Sequence, residues 1–277
     1  MHTTIVSTDL LASHLTEWVV VDCRFDLQNP DWGRDQYRQA HIPGAVYASL
    51  NADLSATPDG SNGRHPLPTI DSLAATLGRF GIERTTQVIA YDQDAGPYAS
   101  RLWWTLRYLG HDAVAVLDGG WAKWVREGRQ TRGGDETRTA VTFTPAPHRD
   151  RRVDVREIAA RATDRLLIDA RAPERFEGRS ETIDRVAGHI PGAVNHFFKQ
   201  NLAEDGTLLP PQELRQKFER LLGSREPAEA VMYCGSGVTA CQNLLAMEHA
   251  GLHGTKLYVG SWSEWSSDPG RPVETGP

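Results

Sequence analysis

Cysteine is scarce in this chain. Three residues, Cys23, Cys234 and Cys241, stand among 277. So few, and in odd number, they exclude a disulfide scaffold and suit a reducing compartment, so a cytoplasmic protein is expected. No Cys-x-x-Cys pair and no His/Cys cluster has zinc spacing, so a structural metal is not expected. Positive charge is also short. Lys and Arg number 30 against 36 Asp and Glu, a net charge of -6. That balance lacks the broad basic footprint of a nucleic-acid or membrane-surface binder, and any anion site must be local. Long apolar runs are missing too. The longest early one is Trp18 to Val21, so neither an export leader nor a membrane span is expected. What is present is the composition of a folded protein, 39% hydrophobic and 24% charged. The length suits two domains of about 140 residues each, large enough to bury their own cores.

The chain repeats itself. Val19–Arg24 (VVVDCR) resembles Leu166–Arg171 (LLIDAR). Ala40–Val46 (AHIPGAV) resembles Gly188–Val194 (GHIPGAV). Val88–Tyr91 matches Ala230–Tyr233, and Asp118–Trp124 matches Val259–Trp265. The four offsets lie between 141 and 148 residues and keep their order, so two copies of one domain are expected. The polar stretch from Thr131 to Arg152 has no apolar period and reads as a connection. The expected organisation is an N-terminal domain over 1–135, a linker over 136–152 and a C-terminal domain over 153–277.

Within each copy, short apolar runs alternate with helical segments. Val19–Val21, Val88–Tyr91 and Val114–Leu117 read as buried strands. Helices are expected from Ile70 towards Gly78, over Ser100–Leu109, over Pro211–Leu222 and over Thr239–Ala250. The fold class is α/β, with a parallel sheet covered by helices on both faces in each copy. In such sheets, ligands bind beyond the carboxyl ends of the strands.

There the sequence places Cys234-Gly235-Ser236-Gly237-Val238-Thr239, between the strand Ala230–Tyr233 and a helix. Two glycines let the backbone curl with N–H groups inward, and the helix adds the positive end of its dipole. Both favour an anion, and the nearest one is the thiolate of Cys234, a candidate nucleophile. The matching position in the first copy is Asp92, in Asp92-Gln93-Asp94-Ala95-Gly96. Carboxylates there stand where an anion cradle needs N–H groups and no negative charge. An aspartate also cannot replace a thiolate nucleophile, so that copy is expected to be catalytically silent. Cys-loop phosphatases are excluded, because Ala240 stands where their oxyanion-clamping arginine belongs.

The Cys-Gly-Ser-Gly-Val-Thr loop, the duplicated His-Ile-Pro-Gly-Ala and the closing Gly-Ser-Trp-x-Glu-Trp resemble the tandem-domain rhodanese sulfurtransferases. The likeness covers nearly the whole chain. It implies two rhodanese-like domains and no cofactor. It also implies a Cys234 persulfide that passes sulfane sulfur from a small anionic donor to a thiol or cyanide, with a thioredoxin-like protein among the candidate thiol acceptors. The donors of the family are 3-mercaptopyruvate and thiosulfate. The neutral Gly235 and Ser236 favour the first, since thiosulfate relatives carry Cys-Arg-Lys-Gly. A rhodanese-like binding module without activity is the remaining alternative.

The resemblance also implies site residues. Arg175, in Arg-Phe-Glu-Gly, corresponds to an arginine for the donor carboxylate. Arg185 or Arg179 is the second arginine, with Arg185 preserving the order Glu, Arg, Gly-His. Ser236 and His65 correspond to two members of a proton-handling triad, whose aspartate position falls on Asn51, with Asp53 two residues on. Gly235, Gly237, Val238 and Thr239 complete the donor-binding loop. His41 and His189 occur in both copies and are expected to serve the fold, as are Trp121, Trp124, Trp262 and Trp265. Cys241 reads as a buried spectator.

Overall fold

The computed structural model describes residues 1–94, 96–161 and 164–277. They divide into two compact units. The first comprises residues 1–56, 67–148 and 203–208, and the second comprises 57–66, 149–202 and 209–277. Each unit thus contains a short segment from the other half of the sequence. That exchange has no signal in composition or periodicity.

In the first unit, strands β1 (Ile5–Val6), β2 (Val19–Asp22), β3 (Val46–Tyr47), β4 (Val88–Tyr91) and β5 (Val114–Leu117) form one sheet in the order β1-β5-β4-β2-β3. All pairings are parallel. Helices α1 (Thr8–Ala12), α2 (Trp32–Gln39), α3 (Ile70–Arg79), α4 (Pro97–Tyr108) and α5 (Gly120–Arg126) connect them. β2, β4 and β5 are buried along their whole length, as continuous Val/Ile/Leu/Ala runs require in a sheet covered on both faces. Helix α4 starts three residues before Ser100, because Pro97 is tolerated in a first turn that needs no N–H there. It buries Trp103 and Trp104.

The second unit repeats the plan. Its sheet holds β6 (Arg152–Val153), β7 (Leu166–Asp169), β8 (Val194–Asn195), β9 (Ala230–Tyr233) and β10 (Lys256–Tyr258), in the order β6-β10-β9-β7-β8. These pairings are parallel too. Its helices are α6 (Val155–Arg161), α7 (Pro173–Phe176), α8 (Pro211–Leu222), α9 (Ala240–His249) and α10 (Ser261–Trp265). The two sheet orders coincide strand for strand. β4 and β9 are the central strands, so the loops after them leave the middle of the sheet's carboxyl edge, where α/β folds bind ligands.

The stretch read as a linker does not hang free. Its N–H groups at Val141, Ala146 and His148 bond the carbonyls of Gly78, Leu109 and Tyr108 of the first unit. Its end, Arg152–Val153, is the outer strand β6. A polar chain without apolar period still needs partners for its backbone groups, and it finds them along the first unit's surface.

The duplicated Asp-x-Arg element builds the same buried cluster twice. Arg24 forks onto Asp22 and lies over the Trp121 ring at 4.4 Å, while the Tyr91 hydroxyl donates to Asp22 at 2.6 Å. Arg171 forks onto Asp169 and lies over Trp262 at 4.9 Å. A second Arg171 bond goes to the carbonyl of Gly188, as Arg24 bonds that of Ala40. Such pairs are tolerated in a core because hydrogen bonds satisfy both ions. His41 and His189 are equally repetitive. Each ring places Nδ1 on a backbone carbonyl, of Tyr37 at 2.7 Å and of Phe176 at 2.8 Å, and stacks on that residue's ring. These contacts tie the loop before the third strand of each copy to a helix.

Candidate active site

The thiol-bearing loop begins where β9 ends. Cys234 is almost wholly buried, and its backbone is fixed at both ends. Its N–H donates to Ser261 Oγ at 3.1 Å, and its carbonyl accepts from Trp262 N–H at 2.9 Å. Ser261 holds a left-handed backbone, φ 56°. The matching residue of the first unit is Gly120, φ 55°, for which that conformation carries no Cβ penalty. A serine held there is strained, and its hydroxyl grips the backbone of Cys234. Ser261 was not singled out in the sequence, since one serine in a Gly-Ser-Trp element carries no local signal of strain.

Gly237 is required by geometry. Its φ is +70°, and a Cβ there would lie 2.2 Å from the carbonyl oxygen of Val259. The loop therefore curls tightly against the turn after β10. Val238 is buried and Thr239 half-buried, and α9 starts one residue later than expected, at Ala240. Cys241 is buried inside that helix, with its Sγ donating to the Gly237 carbonyl at 3.3 Å. It braces the loop from below.

Ser236 and His65 meet. Ser236 Oγ lies 2.8 Å from His65 Nδ1, and both residues are buried. His65 reaches the loop because residues 57–66 belong to the second unit. Arg64 N–H donates to Ser263 Oγ at 3.0 Å and anchors that segment. Asp53 has other partners. Its carboxylate accepts from Ser49 N–H at 2.8 Å and pairs with Arg79 at 2.8 Å. Asn51 is exposed.

The arginines sort clearly. Arg175, on α7, donates through Nε to both Glu181 oxygens at 3.1 Å and through Nη2 to Asp184 at 2.8 Å. Its Nη2 lies 3.6 Å from the position of a Cβ on Gly235, so the guanidinium stands beside the loop. Burial pushes the Glu181 carboxyl up, but the N–H groups of Asp184 and Ile183 and the Arg175 guanidinium outweigh it and hold the group below its usual value. Arg179 is exposed and paired with Glu177. Arg185 is exposed and forms no ion pair among the described residues. A second guanidinium does flank the loop, and it is Arg64. Its Nη2 lies 2.9 Å from the Cβ position of Gly235, and its Nη1 donates to Asp184 at 2.6 Å. Sequence reasoning missed it because 120 residues separate it from its partner.

The first unit's equivalent loop is built differently. The backbone register is preserved, because Trp121 N–H bonds the Asp92 carbonyl as Trp262 N–H bonds that of Cys234. The Asp92 carboxyl, however, turns back into its own loop. It accepts from the N–H groups of Asp94 (3.3 Å), Gly96 (2.9 Å), Tyr98 (2.8 Å) and Ala99 (3.1 Å). Carboxylates in place of an anion cradle are the expectation from sequence. The structure corrects it: the cradle exists, and the carboxyl fills it. Cys23, at the end of β2, is also shut away. Burial, then the nearby Asp22, Asp92 and Asp53, push its thiol well above the ordinary range.

The Rhodanese-like domain model matches this chain twice, over residues 7–127 and 154–268. The chain belongs to the rhodanese family. Among relatives, a Pseudomonas aeruginosa protein named "Probable 3-mercaptopyruvate sulfurtransferase" is 45% identical, covering 98% of both chains. A Mycobacterium tuberculosis protein named "Putative thiosulfate sulfurtransferase SseB" is 40% identical over 93% of this chain and 90% of its own. Among solved structures, the 3-mercaptopyruvate sulfurtransferase of Leishmania major superposes with a TM-score of 0.84 at 32% identity, covering 95% of this chain and 74% of that one. Such full-length kinship makes this rhodanese a sulfurtransferase by descent. Among its described residues no helix is long and apolar enough to cross a membrane.

Proposed function

We propose that this rhodanese transfers sulfane sulfur from 3-mercaptopyruvate, through a persulfide on Cys234, to a thiol or cyanide. The observation that carries this is the company Cys234 keeps at the end of β9. A strain-held backbone and a glycine-curled loop carry the thiol, the same loop bears the Ser–His pair, and two guanidinium groups stand beside its Gly235. The thiolate attacks the sulfur of the donor. The new S–S bond forms as the donor's C–S bond breaks, and the electron pair leaves on carbon as the enolate of pyruvate, which then takes a proton. Ser236 and His65, 2.8 Å apart, supply a route for that proton. The acceptor thiolate or cyanide next attacks the outer sulfur, the S–S bond breaks and Cys234 leaves as thiolate. Arg175 binds the donor carboxylate, for which a guanidinium fork is suited. A thioredoxin-like protein fits the thiol acceptor, and a reducing cytoplasm fits three unpaired cysteines.

Thiosulfate is the second reading, favoured by the name of the SseB relative. Positions Gly235 and Ser236 argue against it, since neither brings a cation into the loop for a compact dianion. The test is kcat/KM for both donors with the same acceptor. A higher value for 3-mercaptopyruvate is expected. A higher value for thiosulfate would reassign the donor, and no turnover with either would remove the sulfurtransferase reading altogether.

Arg175→Ala should lower kcat/KM more than tenfold, since losing a charged contact in a half-closed site costs about 2–5 kcal/mol. Arg179→Ala and Arg185→Ala should change it by about twofold or less, as exposed charges contribute about 1 kcal/mol or less. A larger effect at Arg185 than at Arg175 would reverse the assignment.

A further inference from the structure

The geometry points to Arg64 as the second donor-binding arginine, paired with Arg175 across Asp184 to form a two-guanidinium clamp for the carboxylate of the donor. This deepens the reading above and rests on it. Asp184 is the hinge of the arrangement. Its side chain is 4% exposed, and it takes Arg64 Nη1 at 2.6 Å on one oxygen and Arg175 Nη2 at 2.8 Å on the other. One buried carboxylate therefore sets the distance and orientation of both cations. Both then converge on Gly235, the residue next to Cys234, with nitrogens 2.9 and 3.6 Å from its Cβ position. A larger residue at 235 would press on the Arg64 guanidinium, so glycine there leaves the two cations room beside the thiol.

Arg64 also keeps donors unspent. Its Nε is buried and bonds no group among the described residues, an unusual state for a charged N–H. Arg175, by contrast, gives its Nε to Glu181. The charges explain why a second cation is needed. Without Arg64, the carboxylates of Asp169, Glu181 and Asp184 stand against Arg171 and Arg175 as three negatives to two positives, which would repel an anionic donor. Arg64 brings that local group to balance and adds unspent N–H donors on the loop side. The missing loop cations at Gly235 and Ser236 are thereby replaced from outside the loop.

The test uses alkylation of Cys234 by two small electrophiles. Iodoacetate is an anion with its reacting carbon beside a carboxylate, and iodoacetamide is its neutral counterpart. In each, the thiolate forms an S–C bond and iodide leaves. Their rate ratio cancels changes in thiolate fraction and loop mobility, leaving the effect of charge on the reagent. In the whole protein, iodoacetate is expected to outpace iodoacetamide at Cys234, the reverse of a free thiol, and pyruvate should protect. Arg64→Ala, checked for an unchanged melting temperature, should lower the iodoacetate-to-iodoacetamide ratio about tenfold or more. Arg64→Lys should restore part of it. An unchanged ratio in folded Arg64→Ala, a wild-type ratio equal to that of free cysteine, or no alkylation by either reagent would each overturn the clamp. Should Arg64→Ala fail to fold, Arg64→Lys and pyruvate protection of the wild type decide the matter alone. Sulfur transfer is not the readout, so the two readings can fail separately. A protein with the clamp ratio but no turnover loses the proposed function, and one with turnover but no ratio loses only the clamp.

Discussion

Cys234→Ser should abolish sulfur transfer, lowering kcat by about four orders of magnitude or more, because the nucleophile carries the sulfur through both half-reactions. A hydroxyl at that position fits the space but holds no sulfane sulfur. The other two cysteines should be dispensable, for reasons that differ. Cys23 lies in a pocket where burial and three carboxyl groups keep its thiol neutral, so it is a poor nucleophile at any ordinary pH. Cys241 points its Sγ into the Gly237 carbonyl within α9 and serves the loop from behind. Cys23→Ser and Cys241→Ser should therefore retain most of the activity. The measurement is peptide mass after treatment with the sulfur donor. One added sulfur should appear on the peptide holding Cys234 and on neither of the others. Persulfide on Cys23 or Cys241 with Cys234 unmodified would overturn the assignment.

How much of this was legible in the sequence follows from the range of each interaction. The strands were legible because their signal is local. Val88–Tyr91, Val114–Leu117 and Ala230–Tyr233 are short apolar runs, and they form strands over those residues. The repeat made the doubled architecture legible, since Asp-x-Arg and His-Ile-Pro-Gly each build the same cluster in both sheets. The outer strands β1, β3, β6 and β8 are two residues long and carry no period to detect. The site was legible as far as its backbone motif, Cys-Gly-Ser-Gly before a helix. Its charges were not. Neighbours of Arg175 in space are not all its neighbours in sequence. The segment 57–66 is the case in point, since it joins the second unit and brings Arg64 and His65 together. The strained Ser261 was hidden for a related reason: its role is a hydrogen bond to a residue 27 positions away.

Asp92 makes a second case in which the fold tells more than composition, and it yields a test of the first unit's loop. Asp92→Asn should lower the stability of the first unit by about 2–4 kcal/mol, or about 10 °C in melting temperature, while leaving sulfur transfer untouched at temperatures where the protein is folded. The carboxyl accepts four backbone N–H groups, two on each oxygen. An amide presents one accepting oxygen and one NH2. That NH2 would face two backbone N–H groups donor to donor, and buried unpaired donors are expensive. The dependence on pH has a defined sign. Burial pushes the Asp92 carboxyl up to about 7, with the N–H groups of Ala99, Gly96 and Tyr98 pulling against it. In the unfolded chain a carboxyl titrates near 4. The native state therefore keeps a proton that the unfolded chain releases between about pH 4 and 7. The stability that this proton confers is complete at the acid end of that window and is lost as pH rises through about 7. The amide variant has no such titration, so the stability gap between wild type and variant should narrow from about pH 5 to about pH 8. Thermal melts across that range measure it. A gap that widens with pH would mean that the four N–H groups outweigh burial and hold the native group as a carboxylate. An unchanged melting temperature would mean that the carboxyl contributes nothing to the loop it fills.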